Sequence, residues 1–362
     1  MRILQVNSIF DGGGIDSQSV ELCRGLAALG DEVVLAVPRE CRQRELAQAL
    51  SAEFTVEAVA GGKPAWAWAV GGMIRRHRSQ VVHAHYGRDN WVACLGARLG
   101  GIGGAALISR HLMTPLSTTS ARWLLRLGHV AAVSRAVYAG LDASMTGPRS
   151  HLHLLYGGID TAHFTPAPDD SALRRSLGWS AQHLVFAVVG YMNPPRGKGQ
   201  LEFVEAAARL REALPQARFL MVGNGELRET VRQRAEALGL GDRVALLPHQ
   251  DDIRAVYRAC DVLVHPAVGS EALGMVLWEA LACGKPVIAS RLDGIPEAFE
   301  ENRDGLLVPP REVAPLAEAM LKLGGDAALR AQFGAAGRAH VEAHFDRRHY
   351  AERAQALYSR IA

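Results

Sequence analysis

Short apolar runs alternate with longer amphipathic stretches along the chain. ILQVN is followed by the helical pattern SQSVELCRGLAALG and then by EVVLAV, and VVHAH, AALIS and HVAAVS continue the series. Apolar runs of this length between helical stretches predict βαβ units on a parallel sheet. The pattern pauses at LLYGGIDTAHFTPAPDDS, whose glycines, prolines and aspartates predict an inter-domain linker. It restarts with LVFAVVG, the helix KGQLEFVEAAARLREAL, RFLMVG, the helix GELRETVRQRAEALGL, and then RVALLP, DVLVHP and PVIAS. The expectation is α/β: two Rossmann-like doubly wound domains, residues 1–158 and 159–345, facing each other across a cleft. AHFDRRHYAERAQALYSRIA predicts one more helix, with residues 346–362 crossing back onto the first domain.

Composition narrows the class. A length of 362 residues suits two domains of average size, and 49% hydrophobic with 21% charged residues reads as a soluble globular chain. A formal net charge of +3 is too small to point to nucleic acid, although Arg75, Arg76, His77 and Arg78 form a local basic cluster. Five cysteines, Cys23, Cys41, Cys94, Cys260 and Cys283, are scattered without a CxxC pair, which indicates neither a disulfide framework nor a zinc site and fits a reducing cytoplasm. MRILQVNSIF suits a first strand better than a signal peptide, and no apolar run approaches the roughly 20 residues that span a bilayer.

Ligands of open α/β sheets bind beyond the carboxyl ends of the strands, so chemistry is expected in strand-to-helix connections. In SEALGMVLWEA, Gly274 opens a helix that Gly284, Lys285 and Pro286 stop, so Glu279 rides on it while Glu271 waits in the preceding loop. A helix apolar nearly all round is buried on most sides, and its carboxylate must reach either water or donors such as sugar and ribose hydroxyls. DGGGIDSQS places Gly12, Gly13 and Gly14 between a strand and a helix N-terminus, which fits a phosphate cradle or a plain flexible turn. It matches neither GxGxxG nor GxxxxGK[ST]. In GYMNPPRGKGQ, Arg196 and Lys198 bracket Gly197; two cations there suit a diphosphate, or a solvated basic loop. Lysine occurs only at positions 63, 198, 285 and 322, which favours a specific role for Lys198. No Asp-x-Asp stands at a strand exit, so no metal ligand is expected.

Taken together, these segments resemble the retaining glycosyltransferases of the GT-B class called family 4. The resemblance is carried by DGGG with its helix, VVHAHYG, ISRHLM, VAAVSRAV, YGGIDTAHFTP, VVGYMNPPRGKGQLEFVEAA, MVGNGELR, DVLVHP, SEALGMVLWEALACGKPVIAS, DGIPEAF and DGLLVPP, in the family's order. The two glutamates joined to ALACGKPVIAS are its specific part. It implies transfer of a sugar from a UDP- or GDP-type nucleotide sugar to a hydroxyl of a glycan or lipid-linked acceptor, as in cell-envelope polysaccharide or lipopolysaccharide synthesis, without cofactor or metal. Glu279 would accept hydrogen bonds from the donor ribose. Glu271, with the amides around Gly274 and Met275, would meet the transferred sugar and the distal phosphate. Arg196 and Lys198 would neutralise the diphosphate, which Gly13, Gly14 and Gly190 would approach. His111 would bond the donor sugar, and His249 and Gln250 would lie near the base.

The chain departs from the family pattern in places. Tyr191 stands where an Arg is common, with two extra residues before Lys198; Leu273 replaces a Phe and Gly157 an Asn. Two other classes compete with the transferase: a GT-B isomerase or hydrolase of nucleotide sugars, and a non-catalytic nucleotide-sugar-binding subunit. The first needs an acid/base set that the sequence does not reveal, and the second sits poorly with Glu271, Glu279, His111 and Lys198 together. Trp66 and Trp68 before the basic cluster, with Arg122, Trp123 and Arg126, suggest a loose peripheral contact of the first domain with the inner face of the cell membrane. Core tryptophans with solvated arginines are the alternative.

Overall fold

The computed structural model describes residues 1–168, 172–195 and 197–362. The chain divides into two compact units, Met1–Asp160 with Phe345–Ala362, and Thr161–His344. Each is a parallel sheet with helical connections.

The first unit contains β1 (Arg2–Val6), β2 (Glu32–Pro38), β3 (Thr55–Val59), β4 (Val81–Ala84), β5 (Ala106–Arg110), β6 (His129–Ala132) and β7 (Leu152–Leu154). They lie in the order β3-β2-β1-β4-β5-β6-β7, all parallel. Strand order reverses between β1 and β4, where successive connections diverge and leave a crevice at the carboxyl ends. Every residue of β4 and β5 is buried, as expected of parallel strands covered on both faces.

The C-terminal helix completes this unit's core. Tyr350, Ala351, Ala354, Leu357 and Tyr358 of Arg347–Ile361 pack among Leu22, Leu26 and Leu35. Close approach needs small residues here: a Cβ on Gly25 would stand 2.8 Å from that of Ala351. The continuous helix expected across AHFDRRHY is instead two. Ala327–His344 ends before Phe345, and Asp346 caps the next helix by accepting the Arg348 N–H at 2.8 Å.

The helix Lys63–His77 corrects one expectation. Trp66 is 4% exposed whereas Trp68 is 66% exposed. Residues two apart on a helix point to nearly opposite faces, so the two cannot form one surface patch. Trp66 is a core residue. Among the described residues no helix is long and apolar enough to cross a membrane.

The second unit contains β8 (Leu184–Val189), β9 (Ala217–Val222), β10 (Val244–Leu247), β11 (Val262–His265), β12 (Val287–Ser290) and β13 (Gly305–Val308), ordered β10-β9-β8-β11-β12-β13 and again parallel. Phe186, Phe203 and Phe219 anchor its core, with Phe203 and Phe219 edge-to-face at 5.7 Å. The expected helix at KGQLEFVEAAARLREAL begins only at Gln200 and ends at Arg209. Gly199 causes the late start. It has φ 83°, and a Cβ there would lie 1.9 Å from the Pro266 carbonyl oxygen, so glycine is required and the helix cannot include it.

Candidate functional site

In the second unit the switch point falls between β8 and β11. The loop leaving β8 carries Gly190 and Lys198, and the loop leaving β11 carries Glu271. Their side chains meet: the Lys198 Nζ donates to Glu271 Oε2 at 2.6 Å. Both loops are braced from below. Gln200, 1% exposed, accepts the Lys198 N–H at 2.8 Å and donates to the Gly190 carbonyl at 3.3 Å. Gly190 has φ 150°, and a Cβ there would press to 2.8 Å from Lys198 Cγ. The Glu271 N–H donates to Asp293 Oδ2 at 3.0 Å.

Burial alone would raise the Glu271 pKa. The His265 imidazole, 3.4 Å from Oε2, and the Lys198 ammonium outweigh it and hold the carboxyl at about 2. Glu271 is therefore an ionised acceptor at neutral pH. His265 ends β11 at 2% exposure, with Nε2 turned to Glu271 at 3.4 Å and Nδ1 without a hydrogen-bond partner among the described residues.

Gly274 sits at φ 84° and opens the helix Met275–Ala282. That helix is anchored by Trp278, fully buried, whose indole N–H donates to the Ala298 carbonyl at 3.2 Å. The Leu277 N–H returns to the Gly274 carbonyl at 3.0 Å, which leaves the Met275 and Val276 amides as the orphan donors at the positive end of the helix dipole. One turn further on, half-buried Glu279 accepts the Tyr257 hydroxyl at 2.6 Å. Burial, and then the Glu279 carboxylate, push the Tyr257 phenol well above its ordinary range, so it remains a donor and orients Glu279.

The structure thus joins Gly190, Lys198, Glu271 and Gly274 through direct or shared neighbours. His249 is exposed after β10, its N–H on Asn224 Oδ1 at 3.2 Å, and Gln250 bonds only its own loop's carbonyls. Neither makes a hydrogen bond or ion pair to the Lys198–Glu271 pair among the described residues. Arg196 lies outside the described residues. Tyr191, at the position where an Arg is common, is 53% exposed.

The first unit holds the remaining candidates. Gly13, at φ 128°, precedes the helix Gly14–Ala28. The cradle reading needs trimming, because Asp16 in the first helical turn takes the Asp11 and Gly12 amides through Oδ2, at 3.1 and 2.8 Å. The Gly13 and Gly14 amides keep no partner among the described residues. Gly157 is explained by Gln18, which exchanges two hydrogen bonds with the Gly158 backbone and fills the space a Cβ at 157 would enter. His111 follows β5 directly, and its Nε2 lies 3.3 Å from His85 Nδ1. Burial, with Arg110 beside it, holds His111 at about 4, so it is neutral at physiological pH.

His85, His265, Gln200 and Tyr257 were not anticipated. VVHAH and DVLVHP display their histidines, but a strand-end histidine is equally compatible with a satisfied core residue. Gln200 and Tyr257 carry no motif of their own.

The fold and the strand-exit cluster define a GT-B-type chain. Its two halves match two family models, Glycosyltransferase Family 4 over residues 12–163 and Glycosyl transferases group 1 over residues 169–340, and the chain belongs to this family of glycosyltransferases. It is 37% identical over 198 residues to a GDP-mannose-dependent monoacylated alpha-(1-6)-phosphatidylinositol monomannoside mannosyltransferase of Corynebacterium glutamicum, covering 52% of this chain and 51% of that one. The chain spans about half the length of the first curated relatives it matches. A D-inositol 3-phosphate glycosyltransferase of Stackebrandtia nassauensis is 28% identical over 91% of this chain and 83% of its own. HepE of Anabaena, solved with UDP and glucose, shares the fold at a TM-score of 0.83, with 23% identity over 99% of this chain and 100% of that one.

Proposed function

We propose that the chain is a retaining glycosyltransferase that moves a sugar from a nucleoside-diphosphate sugar to a hydroxyl of a glycan, inositol or lipid-linked acceptor. The observation that carries this reading is the Lys198–Glu271 pair at the amino end of the helix Met275–Ala282. An ammonium has three donors, and Glu271 occupies one. The others, with the orphan helix amides, suit oxygens of a leaving diphosphate, whose negative charge grows as the anomeric bond breaks. Glu271, ionised, accepts a sugar hydroxyl, and Glu279, steadied by Tyr257, accepts from the ribose. His111 adds a neutral imidazole toward the sugar.

Retention follows from a front-face reaction. The bond from the anomeric carbon to the phosphate oxygen breaks with its electron pair going to phosphate. The acceptor hydroxyl adds on the same face, and its proton passes to that phosphate oxygen. Glu271 is ill suited to be a covalent nucleophile, because Lys198 already occupies its carboxylate. No metal is required in this scheme, since Lys198 and the helix amides supply the positive field. The relatives' names include a GDP-mannose user, and the Anabaena structure holds UDP, so the donor is taken as UDP or GDP type. The inositol-containing acceptors in those names widen the acceptor class beyond lipopolysaccharide.

The purified chain, given UDP- and GDP-sugars with glycan and inositol-phosphate acceptors, should release nucleoside diphosphate only when an acceptor is present. A changed or freed sugar without acceptor would identify an isomerase or hydrolase. Binding without turnover across the panel would identify a binding subunit. We further propose that Trp68 and Trp123, both exposed, and the exposed arginines of the first unit touch anionic membrane at the cytoplasmic face.

A further inference from the structure

A chain of buried polar groups runs through the first unit and ends at His111. His85, 1% exposed, directs its Nε2 to Gln5 Oε1 at 2.8 Å and its Nδ1 to His111 Nε2 at 3.3 Å. The Gln5 amide, wholly buried on β1, donates to the Tyr358 hydroxyl at 3.0 Å. Tyr358 in turn contacts His83 Nδ1 at 2.6 Å, and His83 Nε2 meets Ser109 Oγ at 2.8 Å.

The direction of each hydrogen bond follows from its neighbour. A carboxamide oxygen can only accept, so His85 carries its proton on Nε2. A neutral imidazole protonated there has a bare Nδ1, so His111 must donate from its own Nε2. His111 then keeps Nδ1 as a lone pair. At the other end Tyr358 accepts from Gln5, donates to His83 Nδ1 and leaves His83 to donate to Ser109. Reversing the Gln5 amide would reverse every bond and make His111 Nδ1 a donor. The Tyr358 hydroxyl, which comes from the C-terminal helix, ties the Gln5 amide to His83 and Ser109, so that all the bonds of the chain run in one direction together.

We propose that Gln5 and Tyr358 are positioning residues that set the tautomer of His111 through His85, so that His111 offers an acceptor nitrogen rather than a donor. Resting on the functional reading above, that nitrogen takes a hydroxyl of the donor sugar. Burial without a carboxylate partner keeps the imidazoles neutral, and only neutral rings have a tautomer to set.

The test needs no substrate. The full chain labelled with ¹⁵N-histidine is examined ligand-free at neutral pH by ¹H–¹⁵N correlation, with the His111 signals identified by their loss in His111→Gln. The expected result is a single His111 tautomer protonated at Nε2. In Tyr358→Phe, which removes only a hydroxyl, the Gln5 amide is released and His111 should become a mixture of both tautomers. A His111 protonated at Nδ1 in the wild type, or an unchanged tautomer in Tyr358→Phe, overturns the proposal. Sugar transfer by Tyr358→Phe should fall about twofold in kcat/KM as half the molecules present the wrong nitrogen. The expected tautomers with unaltered transfer would uphold the relay and refute instead the role given to His111 in the functional reading.

Discussion

Mild acid should destabilise the first unit before it affects the carboxylates of the second. Three imidazoles, His83 and His85 buried and His111 partly so, are neutral in the folded chain: burial, with mutual repulsion as the lesser cause, holds His83 at about 3 and His85 well below its ordinary value, while desolvation and Arg110 hold His111 at about 4. Unfolded, each returns to a pKa of about 6.5. Between pH 6.5 and about 4 the unfolded chain therefore binds more protons than the folded one, so stability rises with pH across this window and is lost as pH falls through it. At pH 5.5 each unfolded histidine is stabilised by about 1.4 kcal/mol, or roughly 4 kcal/mol for the three. A marginally stable domain cannot spare much more. Asp89 and Glu21, whose pKa values burial raises, take up protons early in the folded state and offset part of the loss at the acid end. Urea unfolding followed by circular dichroism at pH 8, 6.5 and 5.5 should show the first transition moving down by about 1–2 M, given slopes of roughly 2–3 kcal/mol/M for a unit this size. His129 and His153 of the same unit, also held at about 4, add to this dependence, so His83→Asn should remove only its own share of about 1.4 kcal/mol at pH 5.5. A midpoint unchanged from pH 8 to 5.5 would refute the reasoning.

Glu279→Ala should weaken nucleoside diphosphate binding by about tenfold or more, since an ionised acceptor to a ribose hydroxyl contributes roughly 1.5–3 kcal/mol; calorimetry with UDP and GDP reads this, and equal affinity would sink the ribose assignment. Lys198→Ala should lower kcat more than it raises KM, because the phosphate charge grows toward the transition state; a change confined to KM would restrict Lys198 to ground-state binding. Transfer should persist in excess chelator, and a strict magnesium requirement would contradict the proposed mechanism. Cosedimentation with anionic liposomes should be weak and disappear at high salt, at about 1 kcal/mol per basic residue near the surface; absence of binding at low salt would remove the membrane proposal.

Much of this protein is local in origin. The alternation of apolar runs and amphipathic stretches dictates parallel strands joined by helices, because side-chain periodicity over a few residues decides which backbone can bury its apolar face. The helix Met275–Ala282 begins after Gly274 and stops before Gly284, as those glycines require, and so Glu271 is left in a loop and Glu279 on a helix. Other features have no local cause. Trp66 and Trp68 are alike in sequence, yet one is core and one surface, because the helix presents only one face to the sheet. At the strand end of KGQLEFVEAAARLREAL the helix starts only after Gly199, which takes φ 83° against the Pro266 carbonyl of a different connection. Lys198 meets Glu271 across 73 positions, and Gln5 meets Tyr358 across 353. Such pairs exist only once strand order has brought β8 beside β11 and the last helix against the first sheet. Propensity and periodicity decay within a turn or two of chain, whereas a hydrogen bond is made with whatever packing places within about 3 Å. Local pattern thus specifies the elements and the loops that carry charge, whereas packing decides which charges are paired and which imidazoles are held neutral.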